Sequence, residues 1–178
     1  MAMTLITTNT SSNAASSSFT SSIDSTYKLY IFKFYDVNPA TDGANFTFQA
    51  NATDTADYND IPMTTTYFRP YHTESDSAAS LDYITDSDQA QGTGFQIIQE
   101  SVANDADGSC AGVLHLFSPS STTYVKHFYS RINGMGDGAL TSDVFVGGYF
   151  NDTTAIDDVQ FKMSSGNFDG TIKMWGVK

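Results

Sequence analysis

Hydrophobic and polar residues alternate along much of this chain, and the alternation is clearest near its end. Val159, Phe161 and Met163 are separated by single polar residues, and Ile172 and Met174 show the same spacing. Between the two runs lies a segment rich in Ser, Gly, Asn and Asp. A period of two places one side-chain face of a β-strand against a core, and such a polar segment is typical of a turn. The pattern predicts a β-hairpin that closes the chain.

The same pattern recurs throughout the sequence. In residues 27–35 both phases of the alternation contain large apolar side chains, which predicts a central strand that is covered on both faces or contains a bulge. Residues 74–91 are the least strand-like and have room for one helical turn. Further strands are predicted in the segments 45–49, 63–69, 94–99, 110–117, 122–132 and 144–150.

These elements predict an all-β fold. About ten short strands without a useful amphipathic helix indicate an antiparallel β-sandwich, jelly-roll-like, with a closed barrel as the next best alternative. The length of 178 residues and the apolar content of 40% suit one domain, predicted at 26–178. An extended N-terminal arm, residues 1–25, is rich in Ser, Thr, Asn and Ala. It is expected either to pair with the domain's own sheet edge or to reach a neighbouring subunit.

The charge of the chain excludes several partners. Eight Lys and Arg against twenty Asp and Glu give a formal net charge of −12. This charge repels phosphate backbones and anionic lipids, so we expect no nucleic-acid partner. No stretch approaches the about 18 apolar residues that span a bilayer, and the first residues lack the features of a secretory signal. We therefore expect no membrane insertion, and a protein made and used without crossing a membrane by that route.

Few residues offer catalytic chemistry. Cys110 is the single cysteine, which excludes an intramolecular disulfide and a thiolate metal cluster. His72, His115 and His127 lie in strand-like or turn-like segments with no family signature around them. The sequence contains no Gly-x-Ser-x-Gly, no His-Glu-x-x-His and no phosphate-binding loop. The sequence predicts a protein that is not an enzyme and uses no cofactor.

One acidic loop is the sharpest local chemical signal. Asp105 and Asp107 are followed by a glycine, as in loops that wrap Ca²⁺. An EF-hand needs a Glu six residues after that glycine, and Leu114 stands there instead. A solvated turn is the favoured interpretation, so no metal site is predicted, with Asp105 and Asp107 as the alternative ligands. A second acidic loop with a weaker claim contains Asp54, Asp57 and Asp60.

A cluster of aromatic and basic residues is the candidate recognition surface. It contains Tyr67, Arg69, Tyr71 and His72 within one short run. Aromatic and Arg side chains anchor many carbohydrate and protein interfaces, although core packing explains aromatic residues equally well. The cluster predicts a contact surface if loops gather these side chains on an exposed tip.

Several runs of the sequence resemble one group of proteins. They include Asn-Pro-Ala-Thr-Asp-Gly at the start of 38–49 and the segments 21–27, 88–96, 114–128 and 148–156, together with the closing hairpin. In these runs, which span nearly the whole chain, the sequence is similar to virion structural proteins of marine bacteriophages, including those of cyanobacteria. The resemblance implies a β-sandwich on the outside of a phage particle, as a head decoration or as part of the tail-fibre apparatus. Its runs are turns and strand edges, so it carries over no catalytic residue.

The absence of heptads and shaft repeats from the sequence favours decoration of the capsid over a tail fibre. The expected function is a capsid decoration subunit, made in the host cytoplasm and carried on the virion, that docks onto other virion proteins as a small homo-oligomer. A trimer is expected because symmetric assemblies favour closed rings. Met3, Leu5 and Ile6 of the arm are the expected contact residues, through strand addition or apolar burial. The alternative is a tail-fibre-associated module that binds a host receptor or surface glycan.

Overall fold

The computed structural model describes residues 2–53 and 57–178. Among these residues, no helical segment has the length and apolar character needed to span a bilayer. The described chain forms thirteen β-strands. In chain order they are β1 (Met3–Ala14), β2 (Ser17–Phe19), β3 (Leu29–Pro39), β4 (Ala44–Ala52), β5 (Met63–Thr73), β6 (Ala79–Tyr83), β7 (Ala90–Gly92), β8 (Gln96–Val102), β9 (Cys110–Phe117), β10 (Lys126–Gly136), β11 (Leu140–Phe150), β12 (Ile156–Met163) and β13 (Phe168–Val177).

All strand pairs are antiparallel, and they join into one sheet that closes almost completely on itself. The path of neighbours runs β1-β13-β3-β9-β10-β8-β4-β12-β2, and β11, β5, β6 and β7 branch from β10. The strand pairing between β10 and β8 consists of one residue pair, Gly136 with Val102. The two ends of the path, β1 and β2, come together because only Ala15 and Ser16 separate them along the chain. The Asn9 side chain crosses between them and donates to the Ser18 carbonyl oxygen at 2.9 Å.

The predicted all-β antiparallel class is confirmed, but three details of the prediction are wrong. The closing segments do not form a β-hairpin, because β12 pairs with β2 and β4 whereas β13 pairs with β1 and β3. The described residues contain thirteen strands instead of about ten, and the strand order does not support a jelly roll. The unpredicted strand β6 lies within segment 74–91, for which one helical turn was considered, and the unpredicted strand β7 overlaps the end of that segment. Both pair only with β5, and β6 exposes its one large aliphatic residue, Leu81, by 69%. Such short edge strands carry no buried apolar phase, so alternation does not reveal them.

The arm residues are part of this sheet. β1 pairs with β13 from Met3 opposite Val177 to Ala14 opposite Phe168, and β2 pairs with β12. Of the two predicted roles for the arm, the structure therefore shows pairing with the domain's own sheet edge. A register shift between Leu5 and Thr7 marks a bulge at Ile6, and the Ile6 side chain packs against the core.

The core is aromatic and centres on Phe161 of β12. Five phenylalanine rings lie within 6.2 Å of its ring centroid: Phe19, Phe32, Phe34, Phe46 and Phe48. They come from β2, β3 and β4, so one side chain ties strands from both halves of the sheet path together. Burial raises the pKa of the Cys110 thiol to about 12, which makes this residue a packing element at neutral pH.

Candidate functional site

The outward-facing side chains of five adjacent strands form a continuous apolar surface. Strand register places Leu5 opposite Trp175, Trp175 opposite Ile31, Ile31 opposite His115 and His115 opposite Tyr129. A second row, one pleat further along, runs from Met3 through Val177 and Leu29 to Phe117. We call these nine residues the aromatic face: Met3, Leu5, Leu29, Ile31, His115, Phe117, Tyr129, Trp175 and Val177.

The face exists because its three central strands, β13, β3 and β9, carry apolar residues in both phases. In β3 the buried phase is Tyr30, Phe32 and Phe34, and the outward phase begins with Leu29 and Ile31. The sequence predicted that this strand would be covered on both faces or contain a bulge. The structure shows a register shift near its end, between Phe34 and Val37, and places no described strand in a second layer over the aromatic face. An apolar outward phase without an intramolecular cover is typical of an interaction surface.

The rings of the face pack against one another. The His115 and Tyr129 rings stack with centroids 4.5 Å apart and planes 21° from parallel, and Phe117 lies 5.7 Å from Tyr129. The Lys33 ammonium sits 5.5 Å from the centre of the Trp175 ring. Ring faces are therefore turned toward neighbours within the surface. Sugar binding by stacking uses open ring faces, whereas a packed apolar surface of this kind suits contact with protein.

Exposure is highest at two places on the face. Met3 and Leu5 at the β1 edge are 41% and 45% exposed, and Tyr129 on β10 is 47% exposed. The strands between them carry half-buried side chains. Met3 and Leu5 at one side of the face and Tyr129 at the other therefore offer the largest exposed apolar areas to a partner.

The charge around the face has the opposite sign from the chain as a whole. The next row of outward positions runs through Lys173, Lys33, Val113 and Arg131, and it contains no acidic residue. Arg131 forms an ion pair with Asp143 of β11, in which Arg131 Nη2 lies 2.7 Å from Asp143 Oδ2. Burial and the nearby charge of Lys33 lower the pKa of His115, so its imidazole is neutral at pH 7. The face is therefore acid-free with a basic margin, on a chain of net charge −12.

The three arm residues predicted to make contacts do not share one environment. Met3 and Leu5 point outward and belong to the aromatic face. Ile6 lies at the bulge and is partly buried against the core, so most of its side chain is unavailable to a partner. The role of Ile6 as a contact residue stays a prediction, with less exposed side chain than Met3 and Leu5 offer.

The predicted recognition cluster is divided by the alternation of β5. Tyr67 is fully buried, which raises its pKa and removes it from any recognition surface. Arg69 forms an ion pair with Glu100, and its guanidinium lies 5.4 Å from the Tyr71 ring centre. His72 is exposed, 3.2 Å from Asp76. The four side chains therefore do not gather on one loop tip, and Tyr67 is corrected to a core residue.

The acidic loop is an exposed turn held by a neighbouring strand. Asp105 and Asp107 are both exposed, and the Asn38 side chain donates to the Asp105 carbonyl oxygen at 3.1 Å. Among the described residues, no three or more His, Cys, Asp or Glu side chains converge as a metal-binding group. In the second acidic loop Asp57 and Asp60 are exposed, and Asp54 lies outside the described residues.

Sequence reasoning missed seven of the nine residues of the face: Leu29, Ile31, His115, Phe117, Tyr129, Trp175 and Val177. The available signal was the apolar content of both phases in residues 27–35, repeated in 110–117 where His115 and Phe117 alternate with Leu114 and Leu116. Comparisons of the chain with protein-family models, with curated proteins and with solved structures each find no match. Inference about function therefore starts from the surface of this chain.

Proposed function

We propose that this chain is a phage virion surface protein, a capsid decoration subunit that docks onto another virion protein through the aromatic face. The observation that carries the proposal is the uncovered apolar phase across β1, β13, β3, β9 and β10. The proposed role needs no catalytic group and no cofactor. The resemblance of the sequence to virion structural proteins of marine phages supports the location on a particle.

The size of the face fits the centre of an interface. Five adjacent strands with about 4.8 Å between neighbours make it about 19 Å wide. A stable interface buries roughly 800 Å² on each partner, with an apolar centre and a polar rim. Leu5 and Tyr129, at opposite ends of one row, are placed to act as anchors, and the neighbouring Thr and Lys positions supply the rim.

Charge defines the chemistry of the partner. Lys33 and Lys173 are opposite each other on β3 and β13, directly beside the face. They favour a partner with an apolar patch bordered by carboxylates. The face itself contains no acidic residue, so carboxylates of the partner meet no negative charge there, although the chain as a whole has a net charge of −12.

A second candidate function is supported by one observation. Tyr71 and His72 line a small surface depression, about 250 Å³ in volume, together with Asn133, Thr141 and Asp143. A half-buried ring beside amide, hydroxyl and carboxylate groups has the composition of a sugar-binding site. This depression would be the ligand-binding site if the chain is a tail-fibre-associated module that binds a host receptor or glycan.

Electron cryo-microscopy of intact particles with and without this chain distinguishes the two functions. We expect the difference density on the outer surface of the capsid, with the aromatic face against the shell. Density on tail fibres, with the Tyr71 depression pointing outward, would replace decoration by the second function. Particles with no density for the chain would contradict both.

A further inference from the structure

Among the nine residues of the aromatic face, His115 is the one whose charge changes near neutral pH. It lies inside the face, between Ile31 and Tyr129 in one row, and Phe117 follows it in the same phase of β9. Its ring centroid lies 4.5 Å from that of Tyr129 and 6.4 Å from that of Phe117, and both pairs are stacked. A partner that covers this row therefore also covers the imidazole.

The Nδ1 atom of His115 is in a position that suits the neutral ring. This atom is buried, and it has no hydrogen-bond partner among residues 2–53 and 57–178. In neutral imidazole one ring nitrogen carries no proton, so Nδ1 can remain bare. In imidazolium both nitrogens carry a proton, and Nδ1 would then be a buried donor without an acceptor. The geometry therefore disfavours protonation of His115 already in the free chain.

The strands on both sides of β9 bring basic groups toward His115. Lys33 on β3 repels a second positive charge and, together with burial, lowers the pKa of the imidazole. On β10, Arg131 is held in the ion pair with Asp143 of β11, and His127 is exposed. β9 itself contains no other charged or titratable residue than His115 and the buried Cys110. The outward rows of the five strands through and beside His115 contain no carboxylate that could balance an imidazolium.

We propose that acid releases the docked chain and that His115 is the proton sensor of the aromatic face. The proposal rests on the proposed docking through this face. Docking removes water from around the ring, and a partner with an apolar centre offers no counter-charge there. An imidazolium would lose its hydration without replacement, so protonation costs more in the docked chain than in the free chain. Docking is therefore tight while His115 is neutral and weakens once it is charged.

The direction of the pH dependence follows from the weaker proton binding in the docked state. Affinity is full above the pKa of His115 in the free chain, and it falls as the pH decreases below that pKa. This pKa lies below the usual histidine value of about 6.5, so release is expected in mildly acidic solution and not at neutral pH. Because one proton is bound per chain, the loss of affinity is at most about tenfold per pH unit.

The variant His115→Phe tests the role of the proton. Phenylalanine keeps an aromatic ring next to Tyr129 and has no group that titrates. The dissociation constants of wild type and variant are measured on particles that lack the chain, at constant ionic strength, from about pH 7.5 to about pH 5. We expect both proteins to dock at the higher pH. Wild type should lose affinity by about tenfold at the lower pH, whereas the variant should keep its affinity.

The matched control is His127→Phe, the same substitution at the exposed histidine of β10. This variant should lose affinity in acid as wild type does. Three outcomes would overturn the sensor and leave docking through the face standing: equal wild-type affinity at both pH values, tighter docking in acid, or the same acid loss in the His115→Phe variant. Acid unfolding of the chain would appear as the third outcome, because it would affect both proteins alike. A wild type and a variant that both fail to dock at neutral pH would instead refute the proposed function, and the sensor with it.

Discussion

Phe161→Ala is expected to lower the free energy of unfolding by about 4 kcal/mol, within the range for large buried aromatic residues. The Phe161 ring lies 5.3 Å from Phe32, 5.1 Å from Phe34 and 6.0 Å from Phe46, measured between centroids. These neighbours belong to two other strands whose main chains are fixed by ladders on both sides. The cavity left by the substitution cannot collapse easily, so the loss includes a cavity contribution in addition to lost apolar burial.

Urea unfolding followed by circular dichroism measures this loss. The matched control is Phe68→Ala, since Phe68 is 40% exposed and stacks on Phe145 at the surface. We expect about 1 kcal/mol for the control, in line with one surface aromatic pair. Equal losses in the two variants would show that the core is not organised around Phe161.

The largest functional effect is expected from Leu5→Ser combined with Tyr129→Ser. Both side chains are exposed parts of one apolar row, and the two substitutions remove the isobutyl group and the aromatic ring that a partner would bury. Loss of an interface anchor costs about 2 kcal/mol, so the loss of two anchors should weaken docking by roughly 1,000-fold. Because neither side chain is in the core, the fold should be retained.

Purified chain added to particles that lack it, followed by pelleting, measures this effect as occupancy. The chain offers matched controls with identical substitutions: Leu81→Ser on β6 and Tyr124→Ser between β9 and β10. Leu81 and Tyr124 are more exposed than their counterparts, at 69% and 74%, but lie outside the five strands of the face. We expect normal occupancy for this control. Equal loss in both double variants would argue against a localised docking surface.

Much of the fold follows from local alternation. The strands β12 and β13 were predicted because Val159, Phe161, Met163, Ile172 and Met174 point inward and the residues between them are polar. The hairpin between these two strands was predicted wrongly, because β12 pairs with β2 and β4 whereas β13 pairs with β1 and β3. Two strands, β3 and β5, were predicted too short at the ends that contain a proline. β3 ends at Pro39, and β5 continues through Pro70, which pairs with Leu81 of β6. Pro39 is the last residue of β3, and Pro70 lies where the ladder between β5 and β11 is interrupted between Phe68 and Tyr71, so proline is tolerated at both positions.

The site required information that local patterns do not contain. Trp175 and Ile31 are adjacent in the face because β13 pairs with β3, and Leu5 joins them because β1 pairs with β13. These pairings connect residues far apart along the chain, whereas alternation describes one strand at a time. For the same reason, the sequence neighbours Tyr67 and His72 looked like one cluster, and the pleat of β5 sends the first into the core and leaves the second in solvent.

Hydroxyl-radical footprinting of the free chain and of the chain on intact particles tests most directly whether the aromatic face is covered in the assembly. Mass spectrometry then compares labelling at Tyr129 and Trp175 with labelling at Tyr124, which lies outside the face. We expect labelling of Tyr129 and Trp175 to fall several-fold on the particle while Tyr124 is unchanged. Equal labelling of Tyr129 in the free and particle-bound chain would contradict docking through this surface.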